Sequence, residues 1–195
     1  DFAWRDRRTA SDVAGKSALI MGFGRIGQRV GALCRALGLR VAAFDPYMER
    51  SPVEGVEMVK DFRAILPETD FLCLHLPSTP ETRDLIGAGE LALLKRGAFV
   101  LNCARGGIVD EDVLCDALES GHLGGAGLDV FAKEPPDTAH RLFRQEKVLL
   151  SPHNAALTEE CAIRMATQAV QNVLDCLDGK LQPRVVMNRR EIGMA

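Results

Sequence analysis

An apolar run from Ala18 to Met21 leads directly into Gly22-x-Gly24-x-x-Gly27. A helical pattern begins at once, with Ile26, Val30, Leu33, Cys34 and Leu37 recurring three and four residues apart. Glycines alone say little, because turns use them everywhere. Glycines between a strand and a helix constrain a chain far more sharply. The first permits a tight turn, and the second lets main chain approach a pyrophosphate closely. The third lets the helix pack on the strand with its N-terminal N–H groups aimed at the phosphates. On this reading Gly22, Gly24 and Gly27 cradle a dinucleotide; the competing reading is an ordinary strand-to-helix turn.

The rest of the chain alternates in the same way. Strands are predicted at Ser17–Met21, Arg40–Phe44, Phe71–Leu76, Ala98–Asn102, Gly124–Val130 and Val148–Leu150. Helices are predicted at Arg25–Leu37, Asp61–Leu66, Gly89–Leu94, Glu111–Glu119 and Glu159–Leu177, and Ser51–Lys60 carries no clear pattern. In the last helix Ile163, Ala166, Val170, Val173, Leu174 and Leu177 form one apolar face, expected to be a core face. Such alternation predicts an α/β fold with a doubly wound parallel sheet. With 195 residues, 47% of them hydrophobic, there is enough chain for one such domain with a full core. Its expected limits are 13–178, after a polar, Arg-rich lead-in or linker helix at 1–12 that carries Trp4 and before a tail at 179–195.

A net charge of -3 offers nucleic acid or an anionic membrane no general attraction. No apolar run approaches the ~20 residues of a bilayer span, and the N-terminus does not resemble a signal peptide. Six cysteines without a C-x-x-C pair, mostly at apolar positions, point to a reduced, cytoplasmic protein. No metal-ligand cluster is present in the sequence. The chain also lacks a starting Met, as expected of a piece of something longer.

Asp45 ends the second predicted strand, because Pro46 cannot extend a central one. An acidic residue about 20 positions beyond the glycines is where this fingerprint holds the adenosine ribose. A carboxylate there repels the extra phosphate of NADP and so favours NAD. A turn Asp before Pro is the alternative. Three further polar residues, Arg105, Glu134 and His153, each fall in or just past a loop that follows a predicted strand. In a parallel sheet those loops share an edge with the glycine loop. Arg can hold a carboxylate with its planar fork, His can exchange a proton near neutral pH, and a carboxylate can fix the His tautomer. Singly, each also reads as a phosphate contact, loop chemistry or a helix-entry residue.

Gly22-Phe-Gly-Arg-Ile-Gly27, Leu74-His-Leu-Pro77 with Thr79-Pro-Glu-Thr82, Asn102-Cys-Ala-Arg-Gly-Gly-Ile-Val-Asp-Glu111, Gly127-Leu-Asp-Val-Phe131 with Glu134-Pro-Pro136, and Ser151-Pro-His153 together resemble the D-isomer-specific 2-hydroxyacid dehydrogenases. The match runs in order over about Val13–Leu177. The resemblance implies a Rossmann-type cofactor domain whose catalytic residues are Arg105, Glu134 and His153. It implies NAD contacts from Arg25 and Ile26 at the pyrophosphate and from Asp45 at the ribose. His75, Leu76 and Pro77 would form an adenosine-side loop, with Thr82 a weaker contact. Cys103, Ala104, Arg105 and Asp129 would lie on the nicotinamide side, with His153 and Ala155 also at the cofactor. It further implies a 2-oxo or 2-hydroxy acid substrate and a homodimer formed through this domain.

Two features depart from the family's pattern. Ala156 stands where relatives carry Gly, which requires a negative φ there. The family's second, substrate-binding domain, toward which the tail at 179–195 runs, is largely absent, so the chain is expected to hold cofactor and catalyse poorly alone. A non-enzymatic NAD-sensing module, as in the family's corepressors, is the alternative reading.

Overall fold

The computed structural model describes residues 10–189 and 191–193, so the Trp4 lead-in lies outside the described residues up to position 9. Residues 10–13 are irregular rather than helical. Contacts divide the chain into two compact units, Asp1–His153 and Asn154–Ala195. The first contains β1 (Ser17–Met21), α1 (Arg25–Ala36), β2 (Arg40–Phe44), β3 (Val56–Met58), β4 (Phe71–Leu74), α2 (Ala88–Leu93), β5 (Phe99–Asn102), α3 (Glu111–Glu119), β6 (Gly125–Leu128) and β7 (Val148–Leu150). The second contains α4 (Glu159–Leu177).

The seven described strands form one sheet in the order β3-β2-β1-β4-β5-β6-β7, and every pairing is parallel. This is the expected doubly wound arrangement. From β1 the chain winds one way through β2 and β3, then returns to the far side of β1 and winds the other way. The reversal leaves a crevice at the carboxyl ends of β1 and β4, where open α/β sheets bind ligands.

The buried β1 shows why the sheet must be covered on both faces. Successive side chains point to opposite sides of a strand. Ala18 and Ile20 join Val41, Ala43 and Cys73 in a cluster that includes Val30 and Cys34 of α1. Leu19 and Met21 join Leu72, Leu74 and Val100 in a second cluster with Leu91 of α2 and Leu114 and Leu118 of α3. Both faces are thus apolar, which accounts for the continuous rather than alternating hydrophobic runs.

The structure corrects several boundaries. The unpatterned 51–60 stretch contains β3, a three-residue strand with one buried side chain, Val56, too short for periodicity to reveal. The helix expected at Asp61–Leu66 is instead a series of turns followed by a 3-10 helix at Leu66–Glu68. Pro67 is accommodated in the first turn of that 3-10 helix, where its missing N–H removes no helical bond. A second 3-10 helix, Arg141–Arg144, was not expected.

The largest correction concerns α4. Its N-cap is Thr158, whose side chain accepts from the Cys161 N–H. The apolar stripe is present, but Ile163, Val170, Val173, Leu174 and Leu177 are all at least half exposed and no residue of the helix is buried. Periodicity identified the helix and its stripe; it does not supply the surface that covers a stripe.

At the amino end of the sheet, Asp70 fastens β4 to β1. Its Oδ2 accepts from the Ser17 N–H and hydroxyl, each at 3.0 Å, while Lys95 Nζ lies 2.7 Å from Oδ1. Burial pushes this carboxyl up, but the bonds from Lys95 and Ser17 and the Lys95 charge outweigh it and hold it at about 2, below the ordinary 3.8. A pKa depressed in the folded state contributes stability above the unfolded value and loses it as pH falls through the folded one. The melting temperature of the wild type should therefore fall relative to that of Asp70→Asn between about pH 4 and pH 2. Parallel pH–melting curves would show that the contact does not act through charge.

Candidate functional site

The crevice begins at the glycine loop. Gly22 has φ +86°, and a Cβ there would lie 2.6 Å from the His75 carbonyl oxygen. A Cβ on Gly27 would lie 2.1 Å from the Gly22 carbonyl oxygen, whereas one on Gly24 would meet nothing within 4 Å. Two of the glycines are therefore required by the protein's own packing. The third faces open space, where a group on the main chain would be admitted. Phe23, between them, is fully buried.

Helix ends support the same assignment. Asp110 caps α3 by accepting from the Asp112 and Val113 N–H groups, and Thr158 caps α4. By contrast, α1 has no side-chain cap at Gly24 and no acidic residue in its first turn. It begins instead with Arg25, and an anion bound at this end would complement the helix dipole. Ile26 beside it is 66% exposed, a large apolar surface left uncovered at the crevice.

Asp45, at the end of β2, bonds the loop directly. Its Oδ2 accepts from the Phe23 N–H at 2.9 Å, and its Oδ1 accepts from the Tyr47 N–H at 2.9 Å. The second bond is the turn contact anticipated as an alternative, so Asp45 organises its own turn and also reaches the glycine loop. Across the crevice, β4 delivers His75, Leu76 and Pro77. Both His75 ring nitrogens are buried with no hydrogen-bond partner, and burial lowers its pKa. Leu76 is buried among core residues, so what it can offer a ligand is main chain. The Thr82 hydroxyl is used within its own loop, accepting from the Thr79 N–H at 2.8 Å and donating to the Pro77 carbonyl at 2.7 Å.

Beyond β5, Asn102 organises the next loop. Its Oδ1 accepts from the Ala104 N–H at 3.1 Å and its Nδ2 donates to the Arg105 carbonyl at 3.0 Å. Sequence reading assigned this buried side chain no role; a polar residue ending a buried strand before a small-residue loop is the signal. Ala104 is buried and Cys103 exposed, with the Cys103 thiol pushed up by burial and by the Asp129 charge. The exposed Arg105 turns back on its loop, Nη1 donating to the Ala104 carbonyl at 2.6 Å.

Glu134 and His153 do meet. His153 Nδ1 lies 2.8 Å from Glu134 Oε2, while Glu134 Oε1 accepts from the Phe131 N–H at 3.1 Å. The bond from His153 is the main cause that lowers the Glu134 pKa, followed by the bond from Phe131. His153 has φ +55°, a left-handed conformation that His tolerates better than most residues. Its N–H donates to the Asp129 carbonyl at 2.8 Å. The buried Asp129 carboxylate accepts from the Ser151 hydroxyl at 2.5 Å. Among the described residues no hydrogen bond or ion pair is recorded between Arg105 and the Glu134–His153 pair. A cavity of about 360 Å³ flanks the pair, walled by Phe131, Phe143, Leu150 and the prolines at 135, 136 and 152. Phe131 and Phe143 stack there with ring centroids 5.9 Å apart.

Ala155 lies in the second unit. Ala156 is not among the residues with positive φ, which meets the condition set by its methyl group. No group of three or more metal-ligating side chains occurs among the described residues, and no described helix is long and apolar enough to cross a membrane.

The family model described as the NAD binding domain of D-isomer specific 2-hydroxyacid dehydrogenases matches residues 1–155. The D-3-phosphoglycerate dehydrogenase of Methanocaldococcus jannaschii is 39% identical over 184 residues, covering 93% of this chain and 35% of that protein. The same-named protein of Mycobacterium leprae is 42% identical over 184 residues, covering 93% and 34%. The chain thus spans about a third of the length of these curated relatives. Among solved structures, the NAD-complexed D-isomer specific 2-hydroxyacid dehydrogenase of Lactobacillus delbrueckii ssp. bulgaricus superposes with TM-score 0.84 at 30% identity, over 96% of this chain and 61% of that one. D-lactate dehydrogenase with NAD+ from Lactobacillus jensenii gives TM-score 0.82 at 28% identity, over 90% and 56%.

The glycine geometry separates packing from binding. Gly27→Ala should lower stability by about 1–3 kcal/mol, because its methyl collides with main chain that cannot move aside. Gly24→Ala should melt within about 1 °C of wild type yet bind NADH more weakly. Calorimetry with and without NADH checks both, and equal melting temperatures for the two variants would refute the distinction.

Proposed function

Because this chain belongs to the D-isomer specific 2-hydroxyacid dehydrogenase family and matches its NAD-binding domain, we propose that it forms the cofactor half of an enzyme interconverting 2-oxo and D-2-hydroxy acids. The 2.8 Å contact between His153 Nδ1 and Glu134 Oε2, beside the crevice of a doubly wound sheet, is the observation that carries this reading.

The residues present fit NAD. The uncapped start of α1, the open space at Gly24 and the unpartnered His75 ring are features that a bound dinucleotide would account for. Gly22, Gly24, Arg25, Ile26 and Gly27 hold the pyrophosphate, and Asp45 accepts from the ribose hydroxyls. His75, Leu76, Pro77 and Thr82 line the adenosine side. Cys103, Ala104, Asp129 and Ala155 line the nicotinamide side. When bound as NADH, the cofactor supplies the hydride that reduces the substrate ketone.

Arg105 grips the substrate carboxylate and polarises the neighbouring ketone. With Nδ1 engaged by Glu134, His153 presents Nε2 to the substrate oxygen and gives it the proton that completes the alcohol. Glu134 holds the tautomer and stabilises the imidazolium. Its own placement depends on the Phe131 N–H, so the pair is oriented by main chain.

In the proposed organisation, 13–178 is the dinucleotide-binding domain, 1–12 a lead-in, and 179–195 runs toward the substrate domain. The protein pairs with a second copy through this domain, a reading supported by the uncovered stripe of α4. Six free cysteines support a cytoplasmic location.

In the full-length protein, His153→Gln should lower kcat by about 10²–10⁴-fold while NADH binding, followed by fluorescence titration, stays within about twofold of wild type. Unchanged turnover would overturn the mechanism. Tighter binding of NADPH than NADH to the wild type would overturn the role of Asp45.

A further inference from the structure

The turn that carries Glu134 is held from two sides by the segment that follows β5. On one side, a Cβ added to Gly106 would lie 1.7 Å from the Phe131 carbonyl oxygen and 2.7 Å from the Ala132 nitrogen. Main chain therefore packs directly on main chain there. On the other side, Glu111, the first residue of α3, accepts the Ala132 N–H on its Oε1 at 2.6 Å. The adjacent N–H, that of Phe131, holds Glu134 Oε1. Two neighbouring peptide groups are thus fixed by two carboxylates, one from α3 and one from the reacting pair.

We propose that Glu111 is a positioning residue for the reaction: by anchoring the Ala132 N–H it fixes the turn from which the Phe131 N–H orients Glu134, and through Glu134 the His153 ring. This rests on the reading of Glu134–His153 as the acid–base pair. An acidic residue in the first turn of a helix also complements the helix dipole, so Glu111 has a second reading as a stabiliser of α3. The two readings demand different chemistry. Anchoring needs an acceptor atom at the reach of a glutamate side chain, whereas the dipole needs only negative charge.

The test uses the full-length protein with Glu111→Ala, Glu111→Gln, Glu111→Asp and the His153→Gln control, reading kcat, NADH affinity and melting temperature. Glu111→Ala should lower kcat by about 10–100-fold, as expected for a displacement near 1 Å at a reacting group, with NADH affinity unchanged. Glu111→Gln keeps the acceptor and the reach and should retain kcat within about threefold of wild type. Glu111→Asp keeps the charge but withdraws the acceptor by one methylene, and should resemble Glu111→Ala in kcat. It also keeps the proposal testable should Glu111→Ala fail to fold. Glu111→Asp active with Glu111→Gln slow would assign the residue to the helix dipole and overturn the proposal. So would a Glu111→Ala enzyme as fast as wild type while His153→Gln is inactive. If His153→Gln itself turns over normally, the fault lies instead in the reading of the acid–base pair.

Discussion

Main chain packed on main chain without an intervening Cβ is the constraint on which the carboxyl edge of this sheet depends. Gly22 lies against the His75 carbonyl, Gly27 against that of Gly22, and Gly106 against that of Phe131. The first joins the ends of β1 and β4 at the floor of the crevice, and the second seats α1 on the glycine loop. The third sets the Arg105 loop on the turn that carries Glu134. No other residue type fits there, since each added methyl would fall at 2.6 Å or less from a carbonyl oxygen. Loops of distant sequence can come this close only where side chains do not hold them apart.

Upon that edge, polar side chains are fixed mostly by main-chain groups. Asp45 is held by Phe23 and Tyr47, Asn102 by Ala104 and Arg105, and Glu134 by Phe131. Such bonds cost little side-chain freedom to maintain because the partner is already ordered by the sheet. They also explain how an exposed pair such as His153 and Glu134 can be oriented without burial. Exposed ion pairs contribute little to stability, so what this pair supplies is geometry.

Much of the fold was legible from periodicity. β1, β2, β7, α3 and α4 fall on the expected residues, because unbroken apolar runs between polar residues, or helical repeats with caps such as Asp110, signal locally. β3 was not legible, since three residues with one buried side chain carry no period. The helix expected at Asp61–Leu66 does not form, and Pro67 sits instead in the first turn of a 3-10 helix at Leu66–Glu68. In the site, Asp45 and the glycines stand out by spacing alone. Asn102 and Ser151 do not, since their partners are a local main chain and an aspartate 22 residues away, Asp129.

The amino-acid sequence by itself determined the alternation of strands and helices, the conformational freedom at Gly22, and the residue types able to do acid–base chemistry. Those follow from local propensities and from the chemistry of single side chains. Only the tertiary structure decided the order β3-β2-β1-β4-β5-β6-β7, the meeting of His153 with Glu134, and which apolar stripes are buried. Burial and pairing are settled between segments far apart in the chain, and a stripe such as that of α4 reads the same whether or not a surface covers it.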